Sequence, residues 1–160
     1  MALAAGTVAP DFALQTKTAD GVGTIRLSDH RGKDVVVLLF FPAVNTPVCT
    51  QEMCDVSAGI HPMYDAVVYG ISVDLPWAQE MWAQANEITT TLLSDHKGEV
   101  TRAYDAVWPD FAGVGAVSAR ASFVIDPQGT IVYSEQTLAL GDMPNFAQIQ
   151  LAVESALAPA

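Results

Sequence analysis

The chemistry open to this chain is concentrated in one stretch, Phe40-Phe41-Pro42-Ala43-Val44-Asn45-Thr46-Pro47-Val48-Cys49-Thr50-Gln51-Glu52-Met53-Cys54. An apolar run breaks at Pro42, and a helix is predicted to begin near Pro47, which puts Cys49 in its first turn. Unpaired backbone N–H groups at a helix start favour negative charge, so they stabilise a thiolate over a thiol. Cys49 is therefore a candidate nucleophile. Thr46 adds a hydroxyl three residues earlier. A cysteine in an arbitrary sequence is more often a small buried apolar residue, and that description fits Cys54 better than Cys49.

Other chemistries are poorly supplied. Cys49, Cys54 and His61 make only three candidate metal ligands, at a spacing unlike common zinc sites. The sequence contains no CxxC pair and no glycine-rich phosphate loop, so neither a metal nor a cofactor is expected. His30, His61 and His96 are expected on loops or at the surface. The net charge of −11, from 18 acidic and 7 basic residues, repels phosphate backbones and anionic lipid, which makes nucleic acid and membrane poor partners. No apolar run approaches the roughly eighteen residues of a membrane span. The opening Met-Ala-Leu-Ala-Ala-Gly lacks the charged start and apolar core of a signal peptide. Two cysteines without an export signal then suggest a cytoplasmic location and no structural disulfide.

The 160 residues, 51% of them apolar, suit one domain spanning 1–160. Within it, the uninterrupted run Val35 to Phe41 reads as a strand buried on both faces. The helix from Pro47 should end between Gly59 and Pro62, and Ala66 to Val73 should form a second buried strand, parallel to the first. Asp74 is a plausible cap for a helix opening at Pro76, with Trp77, Met81 and Trp82 along one face as core or subunit contact. Leu92 to Asp95 reads as a strand end, Gly98 to Val107 as a helix, and Trp108 to Val117 as a loop. Arg120 to Asp126 and Thr130 to Ser134, joined by Pro127-Gln128-Gly129, should make an antiparallel hairpin, followed by a helix from Asn145 to Leu157. Short strands around Ala9 to Phe12 and Thr24 to Leu27, then a turn pivoting on Gly32, should cover the sheet edge. The pattern is α/β, a mixed central sheet flanked by helices, as in thioredoxin-like folds.

The segment "FFPAVNTPVCTQE" resembles the peroxiredoxin signature PxxxTxxC, with Pro42, Thr46 and Cys49 at its positions, and "RASFVID" resembles that family's later arginine strand. The likeness runs from "APDF" to the terminal hairpin. It implies a thioredoxin-like fold and a peroxidase that reduces hydrogen peroxide or organic hydroperoxides. It assigns Cys49 as the thiolate, Thr46 as the hydroxyl that polarises the peroxide and Arg120 as the cation beside the sulfur. Pro42 would shield the sulfur, or simply end a strand. Glu52 would help orient Arg120, or serve only as a first-turn carboxylate. Peroxide reduction requires such a set, a nucleophile plus donors that follow charge to the leaving oxygen.

Cys54 lies five residues beyond Cys49. In an intact helix that spacing separates Cα atoms by about 8.7 Å, whereas a disulfide needs roughly 4.4–6.8 Å. The arrangement resembles the bacterioferritin comigratory branch, PrxQ, which implies that Cys54 resolves the Cys49 sulfenic acid after the helix unwinds and that thioredoxin or a similar dithiol reduces the disulfide. "DLPWAQEMWAQ" resembles the thiol peroxidase branch, but Ala83 stands where that branch has its resolving cysteine. The alternatives are a one-cysteine peroxiredoxin served by an external thiol and, from another class, a non-catalytic thioredoxin-fold binding or chaperone module. A monomer or homodimer is expected.

Overall fold

A computed structural model describes residues 2–159. In chain order the elements are β1 (Ala13–Thr18), β2 (Gly21–Arg26), β3 (Val36–Phe40), α1 (Pro47–Ser57), β4 (Val67–Ser72), α2 (Pro76–Asn86), β5 (Thr91–Ser94), α3 (Glu99–Ala103), β6 (Val107–Trp108), β7 (Val117–Ser118), β8 (Ala121–Ile125), β9 (Ile131–Gln136) and α4 (Phe146–Leu157). A seven-stranded sheet runs in the order β2-β1-β5-β4-β3-β8-β9. Its centre, β5-β4-β3, is parallel, and antiparallel strands extend it on either side. Among the described residues no helix is long and apolar enough to cross a membrane.

The expected mixed sheet is present, and β3 shows why its sequence is continuously apolar. Side chains alternate across a strand, so Val36, Leu38 and Phe40 enter one core while Val35, Val37, Leu39 and Phe41 enter another on the opposite face. The first core takes Phe12 and Leu27 from the N-terminal segment and Val100 and Tyr104 from around α3. The second takes Met53 from α1, Trp82 from α2, and Phe146, Ile149 and Val153 from α4. The parallel strands β3, β4 and β5 deliver their following loops to one end of the sheet, the end where sites form in such folds.

Several local expectations differ from the structure. β1 lies at 13–18, beyond the Ala9 to Phe12 segment read as a strand, because its pairing with β2 decides the register and the half-exposed stretch carries little apolar pattern. α3 stops at Ala103 instead of continuing to Val107, and the expected loop from Trp108 to Val117 is clamped at its base by β6 pairing with β7. Asp74 does not cap α2: Leu75 holds the cap position, and the Asp74 carboxylate turns to Val44 and Ser72 instead. Trp82 does not share a face with Trp77 and Met81. It is 1% exposed against Phe41, whereas Trp77 and Met81 are 58% and 74% exposed. α1 ends at Ser57, a little before Gly59, whose φ of 77° lies where glycine is favoured.

One glycine lies where α1 packs on the sheet. A Cβ at Gly70 on β4 would lie 2.8 Å from Leu92 Cδ2, 3.0 Å from Met53 Sδ on α1 and 3.3 Å from Phe41. Gly70→Ala is expected to destabilise the fold by roughly 1–3 kcal/mol through overpacking. The urea midpoint measures this, and an unchanged midpoint would mean that α1 has slack against the sheet.

Candidate active site

The N-terminus of α1 is built by backbone more than by side chains. Thr46 occupies the N-cap position and Pro47 the first turn, where a missing N–H costs nothing. The Thr46 hydroxyl does not cap the helix but donates to the Ala43 carbonyl at 2.7 Å. Its own carbonyl accepts from Thr50 N at 3.0 Å and Thr50 Oγ1 at 2.8 Å. Thr50 Oγ1 accepts in turn from Trp82 Nε1 at 3.1 Å, so α2 braces the first turn of α1. Cys49 sits within that turn, only 1% exposed.

Sheet register brings in the distant partner. β8 pairs antiparallel with β3 so that Ala121 lies opposite Phe40, and Arg120 therefore enters beside the end of β3, where the chain turns toward Cys49. Arg120 is 2% exposed. Its Nη2 donates to Cys49 Sγ at 3.4 Å, and its Nη1 donates to Glu52 Oε1 at 2.6 Å. Nε and Nη2 also donate to the Leu140 carbonyl at 3.2 and 2.8 Å, from the loop before α4. Cys49 and Glu52 are one helical turn apart, so both reach the same guanidinium.

The electrostatics of this cluster are those of charges out of water. Burial pushes the Glu52 carboxyl up to about 7, even though Arg120 pulls it down, with a smaller upward push from Glu135. Glu52 Oε2 is buried without a hydrogen-bond partner. For Arg120, burial opposes the cation, but Glu52 and Cys49 outweigh it and the guanidinium holds its proton more tightly than usual. The cluster thus keeps a permanent cation with an N–H directed at the sulfur.

Of the residues singled out in the sequence, Cys49, Glu52 and Arg120 meet directly. Thr46 stands at the start of the same helix, and Pro42 is buried just after β3. Cys54 stands apart: α1 is intact across both thiols, both cysteines are free, and Cys54 Sγ donates to the Asn86 carbonyl at 3.5 Å. Burial, joined by the carboxylates of Asp55 and Glu87, pushes the Cys54 thiol up. The Leu140 carbonyl was not anticipated, since a backbone acceptor leaves no mark in a sequence. The Trp82 brace had a signal in the tryptophan itself, but its face was ambiguous.

Glu52 makes stability depend on pH. Its folded pKa of about 7 lies above the ordinary 4.5, so between these values the native state binds the proton more readily than the unfolded chain. Its contribution to stability is therefore greatest below about 4.5 and is lost as pH rises toward 7. The stability of wild type relative to Glu52→Gln should fall across that window, as followed by urea unfolding at a series of pH values. A flat difference would mean that Glu52 stays ionised throughout.

Known proteins resemble this chain in sequence and in fold. Residues 5–134 match the AhpC/TSA family. The chain is 31% identical over 142 residues to a thiol peroxidase of Bacillus subtilis, covering 88% of this chain and 81% of the relative. It is 34% identical over 143 residues to a chloroplastic 2-cysteine peroxiredoxin of Chattonella marina var. antiqua, covering 84% and 71%. A peroxiredoxin-like protein from Aquifex aeolicus superposes with a TM-score of 0.84 at 26% identity, covering 98% of this chain and 90% of that one. Peroxidoxin BcpB from Mycobacterium tuberculosis gives 0.78 at 27% identity, covering 97% and 98%. With a family match across most of its length and peroxiredoxins as its structural neighbours, this chain belongs to the AhpC/TSA family and is a thiol-dependent peroxidase of thioredoxin-like fold.

Proposed function

We propose that Cys49 is the peroxidatic nucleophile and that Arg120 and Thr46 activate its substrate. The observation that carries this is the buried Arg120 Nη2 at 3.4 Å from Cys49 Sγ. The Cys49 thiolate attacks the terminal oxygen of a hydroperoxide. The S–O bond forms as the O–O bond breaks, leaving Cys49 as a sulfenic acid and an alkoxide or hydroxide that takes a proton from solvent. Arg120 accompanies the charge as it moves from sulfur to the leaving oxygen, with no solvent rearrangement needed. Since the Thr46 proton is committed to Ala43, the hydroxyl offers lone pairs and holds the peroxide O–H as an acceptor. Pro42 keeps water from the sulfur, and Glu52 fixes the direction of the guanidinium.

In the second half of the cycle Cys54 attacks the Cys49 sulfenic acid, forming the disulfide and releasing water. α1 must unwind for this, because its intact geometry keeps the two thiols apart. Thioredoxin or a similar dithiol then restores both thiols by exchange. A cytoplasmic setting, supported by the two unpaired cysteines, suits that cycle, in a monomer or homodimer. Resolution by an external thiol is the second reading, favoured by the Cys54 contact to Asn86 within an unbroken helix.

Cys49→Ser is expected to abolish peroxide consumption, and Arg120→Ala to slow it roughly a hundredfold or more. Activity surviving in Cys49→Ser would remove the nucleophile assignment. For Cys54, intact mass after one equivalent of peroxide should show the loss of two hydrogens in the wild type and an oxygen adduct in Cys54→Ser. The same oxygen adduct in both would make this a one-cysteine enzyme.

A further inference from the structure

Asp74 lies outside the peroxidatic cluster, yet its carboxylate reaches the loop that carries Thr46. Oδ2 accepts from the Val44 N–H at 3.0 Å and from Ser72 Oγ at 2.7 Å. The Val44 N–H belongs to the same peptide unit as the Ala43 carbonyl, which accepts the Thr46 hydroxyl proton at 2.7 Å. A peptide unit is planar, so its N–H and C=O point in opposite directions and turn together. This one is held at both ends. Asp74 is itself fixed by the strand ends beneath it: Ser94 Oγ donates to its carbonyl at 2.6 Å, and Gln79 Nε2 donates to Ser72 Oγ at 3.0 Å and to the Leu93 carbonyl at 2.8 Å. Ser72 and Gln79 are buried, so the chain of bonds from α2 through β4 to the loop leaves the carboxylate little freedom.

We infer that Asp74 is a positioning residue for the hydroperoxide and acts through Thr46. By holding the Val44 N–H it aims the Ala43 carbonyl at the threonine, which directs the Thr46 proton inward and leaves its lone pairs for the substrate O–H. A carboxylate at the N–H end also polarises the amide and strengthens the carbonyl as an acceptor. Without Asp74 the peptide can rotate, the Thr46 hydroxyl becomes a free rotor, and the substrate loses a fixed acceptor. This inference rests on the reading of Thr46 as the group that orients the peroxide.

The test is a double-mutant cycle on the full chain, read as the single-turnover rate of Cys49 oxidation when prereduced protein meets hydrogen peroxide. Thr46→Val should slow that step about a hundredfold and Asp74→Ala about tenfold, since a misplaced contact group costs rate steeply. Adding Asp74→Ala to Thr46→Val should slow it less than about twofold further, because the two residues act on one contact. Asp74→Asn, whose amide oxygen can still accept from Val44, should stay within about threefold of wild type. If Asp74→Ala loses its fold, Asp74→Ser, too short to reach the amide but still polar, takes its place in the cycle. A wild-type rate in the Asp74 variant, or the same loss in both backgrounds, overturns the inference about Asp74. An unchanged rate in Thr46→Val overturns the underlying reading of Thr46, and with it the inference.

Discussion

The contact on which the rest of the site depends is the buried guanidinium of Arg120, shared between the sulfur of Cys49 and the carboxylate of Glu52. Removing a cation from water is costly unless it is paired and hydrogen-bonded, and here Glu52, Cys49 and the Leu140 carbonyl together surround it. The carboxylate carries a cost of its own, visible in its raised pKa and in an Oε2 without a partner. A core built for stability alone would do as well with apolar residues at these positions. What the ion pair provides instead is direction: it holds the Arg120 Nη2 N–H on the Cys49 sulfur, the preorganisation that the proposed role of Arg120 requires.

The helix that places the thiol also separates it from its proposed partner. α1 is packed through Met53 against Phe41 and Gly70, and braced at its first turn by Trp82 through Thr50. Its far end is tied down as well, since Ser57 Oγ accepts from Thr89 N and Thr90 N at 3.0 and 3.2 Å. These contacts favour the folded helix and oppose the unwound one that the proposed Cys49–Cys54 disulfide needs. The balance between the two conformations, more than the reactivity of either thiol, would then govern how long the sulfenic acid persists.

Polar groups gathered at the carboxyl ends of the parallel strands connect the helix to the sheet. Ser72, Asp74, Gln79 and Ser94 form one hydrogen-bonded chain that ends on the loop before α1. Asp95, 2% exposed on the neighbouring strand end, receives Val100 N and Thr101 N and so starts α3. Buried side chains that could be replaced by apolar ones are used here to orient backbone, which a dispersion contact cannot do because it has no direction.

How much of this could be read from the chain follows from the range of the forces involved. The interior strand, the helix starting at Pro47 and the terminal hairpin depend on local pattern, proline placement and turn residues, so the sequence determined them by itself. It also marked Cys49, Thr46 and Arg120, through residue types in a recognisable order. The sequence could not determine that β8 lies against β3 with Ala121 opposite Phe40, which is what carries Arg120 to the thiol. Nor could it decide that Trp82 turns inward, that Asp74 serves a loop instead of a helix, or that a backbone carbonyl at Leu140 holds the arginine. Those outcomes come from register and packing between segments far apart in the chain. Only the tertiary structure decides them, because each hydrogen bond involved has a partner that local propensity does not specify.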